Sequence, residues 1–252
     1  MKQNYAAYFP TLRSAAGRLG SAVLLAVAVA GCQNETEVLP NPGPEYYPLA
    51  VGTYRIYDVA DTTWRNNAPT ASRFQFREQV EAELSPDATG QPAYRVVRSR
   101  RATATDAWAV DSVLTVTVGR QTVTEQRNNR RSVELVFPVA EGKVWNINAF
   151  NAQDTIIAEN RFYRNVGQPL SLTRNGKTYA YENTVTTIND VAVEANAAYT
   201  TILRTTFAAG TGPVYRVRRR FFHCDNTGTL GCNPSLNYQG QSRSEVLIES
   251  GK

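Results

Sequence analysis

From residue 54 onward, apolar and polar side chains alternate with a period of two, and almost nowhere with the 3.6 of a helix. The alternation is plain at 54–59, 73–80, 94–98, 113–118, 121–125 and 132–137. It returns at 170–174 and 177–181, and further strands are predicted at 184–188, 198–207, 213–222 and 244–249. Turn signals separate these runs. Gly119 and Arg120 divide one hairpin, Asn128 and Asn129 stand between two arginines, and Asn175-Gly176 supplies the two positive-φ residues that a type I′ hairpin needs. A short helical turn near 190–198 is the one exception. Strand after strand without a crossover helix predicts an all-β chain with a mostly antiparallel sheet. A sheet this long has to curl or double over to bury one face, so a β-sandwich and a curled, barrel-like sheet are both open.

The first 31 residues follow a different rule. Lys2, Arg13 and Arg18 make a positive start, and residues 21–30 form an apolar run. Together they read as an export signal. The run is about half the roughly 20 residues that cross a bilayer as a helix, which argues against a transmembrane anchor. It ends in Val29-Ala30-Gly31-Cys32, which looks like a lipobox: small side chains admit the peptidase, and the Cys32 thiol accepts the lipid. The competing reading is an ordinary export signal followed by a chance cysteine. Acyl chains on Cys32 would anchor the mature protein to a membrane, at about 0.8 kcal/mol per buried methylene.

Residues 32–45 are polar and rich in proline, and read as a flexible tether. Gln33 stands where an inner-membrane retention signal has aspartate, so the expected address is the outer membrane, with the periplasmic and cell-surface faces both open. Glu35 and Glu37 resemble the acidic surface-export signals of Bacteroidota lipoproteins. A single β domain is then expected over 46–252. Loss of the leader removes three of the 27 basic residues and none of the 22 acidic ones, leaving +2. A near-neutral exported chain gives no reason to expect nucleic acid as a partner.

Two cysteines remain, Cys224 and Cys232, in a loop full of turn formers. In an oxidising compartment they are expected to pair. Zinc held by His223, Cys224 and Cys232 is the alternative; it lacks a fourth ligand in a chain with one histidine, so no metal and no cofactor is expected.

Three segments carry a family resemblance. Residues 46–57 show an aromatic pair, Pro48-Leu49, Gly52 and an aromatic strand, and 137–145 echo them with Pro138, Gly142 and Trp145. Residues 210–216 add a Gly-x-Gly-x-Val turn. In these places the chain resembles the Bacteroidota lipoproteins that carry one β domain behind a lipobox. The resemblance implies an envelope location and a β fold, and no particular activity. The echo also hints at an internal duplication, 46–136 and 137–252.

Catalytic motifs are missing from the sequence: there is no Gly-x-Ser-x-Gly, no His-Glu-x-x-His and no phosphate-binding glycine loop. His223 reads as a surface or loop residue rather than a base. Carboxylates for a hydrolase exist as Asp58 and Asp61, Glu78 and Glu81, Asp106 and Asp111, Glu182 and Glu194, none in a motif. Along 215–222, alternation puts Arg216, Arg218 and Arg220 on one face and Tyr215, Val217 and Phe221 on the other, which reads as the core face. The arginine row is a candidate ligand contact; the plainer reading is a solvated face paired to glutamates on neighbouring strands. Arg95, Arg98, Arg100 and Arg101 form a second cluster. Trp64 and Trp108, in polar surroundings, are candidate stacking surfaces, whereas Trp145 is expected in the core. The expectation is a non-catalytic, lipid-anchored binding or interaction module for a glycan, a lipid or an envelope protein. Its alternatives are a carboxylate hydrolase of polysaccharide and a structural part of an envelope complex.

Overall fold

A computed structural model describes residues 43–87, 90–151, 158–189, 195–225 and 231–252. The leader, Cys32, Glu194 and residues 190–194 of the expected helical turn lie outside the described residues.

The chain forms twelve strands: β1 (Tyr54–Arg65), β2 (Ala68–Leu84), β3 (Ala93–Arg101), β4 (Ala109–Val118), β5 (Thr122–Arg127), β6 (Arg130–Val136), β7 (Val144–Asn146), β8 (Asn160–Arg174), β9 (Lys177–Asn189), β10 (Tyr199–Ala208), β11 (Gly212–Phe222) and β12 (Gln239–Gly251). They make one antiparallel sheet in the order β6-β5-β4-β3-β2-β1-β12-β11-β10-β9-β8-β7. β1 and β12 pair from Tyr54↔Gly251 to Arg65↔Gln239, so the first and last strands meet in the middle of the sheet.

The short strands β6 and β7 are the sheet edges, and the curl brings them together. The Val133 N–H donates to the Ile147 carbonyl (2.8 Å), and the Trp145 indole N–H donates to the Val133 carbonyl (2.9 Å). The Tyr163 hydroxyl accepts from the Val136 N–H and donates to the Val136 carbonyl. The sheet is thus nearly closed into a barrel, and its unpaired edge groups find partners in each other. This settles the choice that alternation left open.

Asn residues build the tight hairpins. Asn66-Asn67, Asn128-Asn129 and Asn175-Gly176 all hold positive φ, as a type I′ turn requires. The two echoed segments also form one and the same turn. The Gly52 N–H bonds the Val80 carbonyl and the Val80 N–H bonds Thr53; likewise Gly142 bonds Tyr163, and Tyr163 bonds Lys143. Both glycines sit at positive φ, 90° and 75°, where a side chain would be strained.

One end of the barrel is filled by apolar side chains. Tyr46 and Tyr47, from a 3₁₀ turn at Pro44–Tyr46, pack there with Val80, Leu135, Trp145, Tyr163 and Phe207. Trp145 is buried, as its sequence setting predicts. The cluster also takes in Val96 of β3, Leu114 and Val116 of β4 and Val123 of β5. The opposite end is polar. The β8–β9 hairpin is longer than alternation suggests, and its tip reaches strands that are not its sheet neighbours. Arg174 pairs with Asp58 of β1, and Arg73 of β2 bonds Asn175 (2.9 Å).

An arginine-lined lumen as candidate functional site

β11 aligns Arg216 with Glu245, Arg218 with Arg243 and Arg220 with Gln241 of β12. Opposed residues of an antiparallel pair point to the same side, and these point into the barrel. The arginine row therefore lies inside, and Tyr215, Val217 and Phe221 face outward, the reverse of the core assignment drawn from hydrophobicity. The cause is the supply of acidic residues: Glu78, Glu245 and Glu159 stand on the inner face and neutralise cations that a hydrocarbon core would reject.

The central layer is a quartet. Arg216 grips Glu78 with both nitrogens (3.0 and 3.1 Å) and reaches Glu245 (3.1 Å); Arg98 bonds Glu245 (2.7 Å) and approaches Glu78 (3.2 Å). The side chains of Arg98, Glu78 and Glu245 are only 6–7% exposed. Burial alone would raise the Glu78 carboxyl, but Arg216 and Arg98 hold it down at about 2. Aromatic faces complete the layer: Arg98 lies over Phe76 (4.1 Å) and Arg216 over Tyr57 (4.8 Å).

A second carboxylate pair borders the quartet. Glu125 accepts from the Tyr47 hydroxyl (2.5 Å), and Glu134 accepts from Ser132 Oγ (2.6 Å). Burial, then the charge of Glu125, pushes Glu134 up to about 7, against the Ser132 hydrogen bond and the pull of Arg161 and Arg216. Glu134 therefore titrates close to neutrality.

Above these layers a cavity of about 470 Å³ opens at the polar end, lined by nine arginines and five glutamates. At its mouth Arg161 and Arg220 share Glu159 (2.5 and 3.6 Å), and Arg243 bonds Asp61 (2.8 Å). The Arg130 side chain bonds the neutral Asn148 (3.1 Å) and, among the described residues, no carboxylate. Arg218 is exposed and, among the described residues, makes no hydrogen bond or ion pair. The donor set suits recognition of acceptor-rich, negatively charged groups.

The other sequence candidates lie elsewhere. Trp64 stands edge-on to Phe221 (5.0 Å), beside the β1–β2 hairpin. Trp108 is covered by Arg77 (5.0 Å) and Arg101 (4.2 Å), so its ring is not a free stacking surface. Arg98 of the second arginine cluster joins the lumen, while Arg95 pairs with Glu81 and Arg100 lies over Phe74. Cys224 and Cys232 are joined as a disulfide. His223 is buried at 3% exposure rather than at the surface. Its Nδ1–H donates to the Leu236 carbonyl (2.8 Å), and Nε2 accepts from Thr200 (2.9 Å), the tautomer set by those partners. It fixes the base of the disulfide loop. Among the described residues no group of three His, Cys, Asp or Glu side chains is placed to hold a metal.

Of the hydrolase carboxylates, Asp58 and Asp61 are tied to Arg174 and Arg243, and Glu78 is locked in the quartet. Asp106 caps the Thr103 N–H and Asp111 bonds Ser112. Sequence reasoning did not single out Glu125, Glu134, Glu159, Glu245, Arg161 or Arg243. A signal existed in two places. Glu78 follows Phe74 and Phe76 on one face of β2, and Arg243 and Glu245 alternate in β12 at the spacing of the arginine row.

No protein-family model and no curated protein matches the chain. Among solved structures it is similar to a protein described as a putative lipoprotein from Parabacteroides distasonis ATCC 8503. The TM-score is 0.38 and the identity 9%, over 82% of this chain and 98% of that one.

Proposed function

We propose that the protein is a lipid-anchored component of the cell envelope that binds a polar ligand inside its barrel. The observation that carries this reading is the lumen: one end is packed like a core, and the other keeps a polar cavity of about 470 Å³. A barrel needing only stability would fill that space with side chains. The anchor rests on Cys32 and its lipobox-like setting. The binding surface sought on outward tryptophans is better placed on the inner face, where Arg216, Arg218 and Arg220 converge.

The test is native mass spectrometry of the protein released gently from its own envelope, beside a Cys32→Ala variant. Acylation and membrane fractionation lost in the variant, with an added non-covalent mass in the parent protein, support the reading. A bare chain that no envelope extract stabilises refutes ligand binding.

Glu134 favours a second reading, a carboxylate hydrolase. A buried glutamate raised to about 7 beside a second carboxyl group is the kind of acid that glycoside hydrolysis uses. Turnover of an envelope polysaccharide, abolished by Glu134→Gln, would replace binding with catalysis.

A further inference from the structure

We propose that the mouth of the cavity is an oxyanion site for a phosphate ester, with Arg218 as the residue that meets it. The inference rests on the lumen-binding reading and names the chemistry of its ligand. Its first support is local charge. Arg218 faces Arg243 directly across the β11–β12 pair, and like charges so placed repel. Arg130, Arg161 and Arg220 also border the cavity. Against these five guanidinium groups the described residues of the mouth supply two carboxylates, Glu159 and Asp61, both already engaged. Among the described residues three positive charges remain in excess, more than a single carboxylate neutralises and suited to a phosphate dianion.

The second support is an acceptor deficit. The Arg161 side chain is 8% exposed, and among the described residues its Nη1 has no hydrogen-bond partner; the buried Nε atoms of Arg220 and Arg243 have none either. Among the described residues the guanidinium donors thus outnumber the acceptors that this region provides, whereas buried donors in folded proteins are ordinarily satisfied; Arg77, Arg98 and Arg174 elsewhere each leave one nitrogen unpaired as well. Burial and the charges of Arg220, Arg243 and Arg130 push the Arg218 guanidinium below its usual range, so a bound dianion would relieve a repulsion already present. A phosphate ester offers several acceptor oxygens to guanidinium forks at once. Arg218 is open to solvent but stands on the lumen side, among like charges.

The test uses the full lipid-anchored protein in detergent, with calorimetry at pH 7 and low salt. The probes are inorganic phosphate, glucose 6-phosphate, short-chain phosphatidic acid and glucose. Phosphate-bearing probes are expected to bind at least tenfold more tightly than glucose, and less tightly as salt is added. Arg218→Gln should weaken them at least tenfold without moving the melting temperature of the unliganded protein, because the side chain is exposed and unpartnered. Arg120→Gln, an exposed arginine elsewhere, should change nothing. Preference for glucose 6-phosphate would make the source a phosphorylated sugar, and preference for phosphatidic acid a lipid headgroup; either supports the site. Phosphate and glucose binding equally, or Arg218→Gln binding as the parent does, overturns it. A neutral ligand held in the lumen with Arg218→Gln unaffected overturns this inference alone, whereas failure of every ligand class overturns the lumen reading with it.

Discussion

Replacing Glu78 with glutamine removes one charge from the buried quartet and nearly nothing from its volume. Arg98 and Arg216 are then left with Glu245 between them. The size of the effect follows from the Glu78 carboxyl itself, which sits at about 2 in the folded protein against an ordinary 4.5. That depression of roughly 2.5 units corresponds to about 3 kcal/mol at neutral pH. Breaking a buried ion pair by removing one partner costs about 3–5 kcal/mol, which agrees. Because the folded value is depressed, the stabilisation is present above about pH 4.5 and is lost as pH falls towards 2. Glu78→Gln should therefore unfold about 3 kcal/mol more easily at pH 7, and the gap should narrow below pH 4.5 and largely close near pH 2. Urea unfolding followed by tryptophan fluorescence at pH 7, 4 and 2.5 measures this. Equal stability at pH 7, or a gap that does not change with pH, would refute the assignment of the quartet as a net electrostatic tie.

Glu134 carries the opposite sign. Its folded value is raised, so the parent protein should lose about 1–3 kcal/mol as pH climbs from roughly 4.5 to 7, and Glu134→Gln should be flat over that window in the same unfolding assay. Tyr163→Phe deletes two hydrogen bonds at the β6–β7 seam and should cost about 1–3 kcal/mol, with faster amide exchange at Val136 than at β1–β12 positions. Reducing the Cys224–Cys232 bridge, which spans eight positions, should cost about 2–3 kcal/mol in denaturant titrations and leave phosphate binding unchanged.

Strand content was legible because alternation is local. Eleven of the twelve strands overlap the predicted runs, and Asn175-Gly176 turns where its chemistry says it should. The β1–β2 hairpin at Asn66-Asn67 uses the same chemistry, but its flanks are polar and show no alternation that would mark it as a turn between strands. The three residues of β7 are too few to show a period, and the seam they form depends on Trp145, whose partner Val133 is twelve positions away. The site was half legible. The spacing of Arg216, Arg218 and Arg220 put them on one face, but hydrophobicity assigned that face to solvent. What reverses it is a set of glutamates up to 138 positions distant, and only closure of the sheet brings these to the arginines. Periodicity reports which residues share a face; it does not report which face a barrel turns inward.

The pairing of β1 with β12 sets a limit on when the protein can become itself. Tyr54 waits for Gly251, so the central strand pair of the wall is also the strand pair most distant in sequence. Each half can zip hairpin by hairpin through local turns, and the β6–β7 seam joins near neighbours in sequence, but the β1–β12 pair forms only after β12 has emerged. A chain threaded unfolded through an export channel would lose nothing by this order, since no premature closure could stall it. The cost is an interval in which both ends of the meander are open, and a truncation that removed only β12 would leave β1 and β11 as two long unpaired edges ready to associate between molecules.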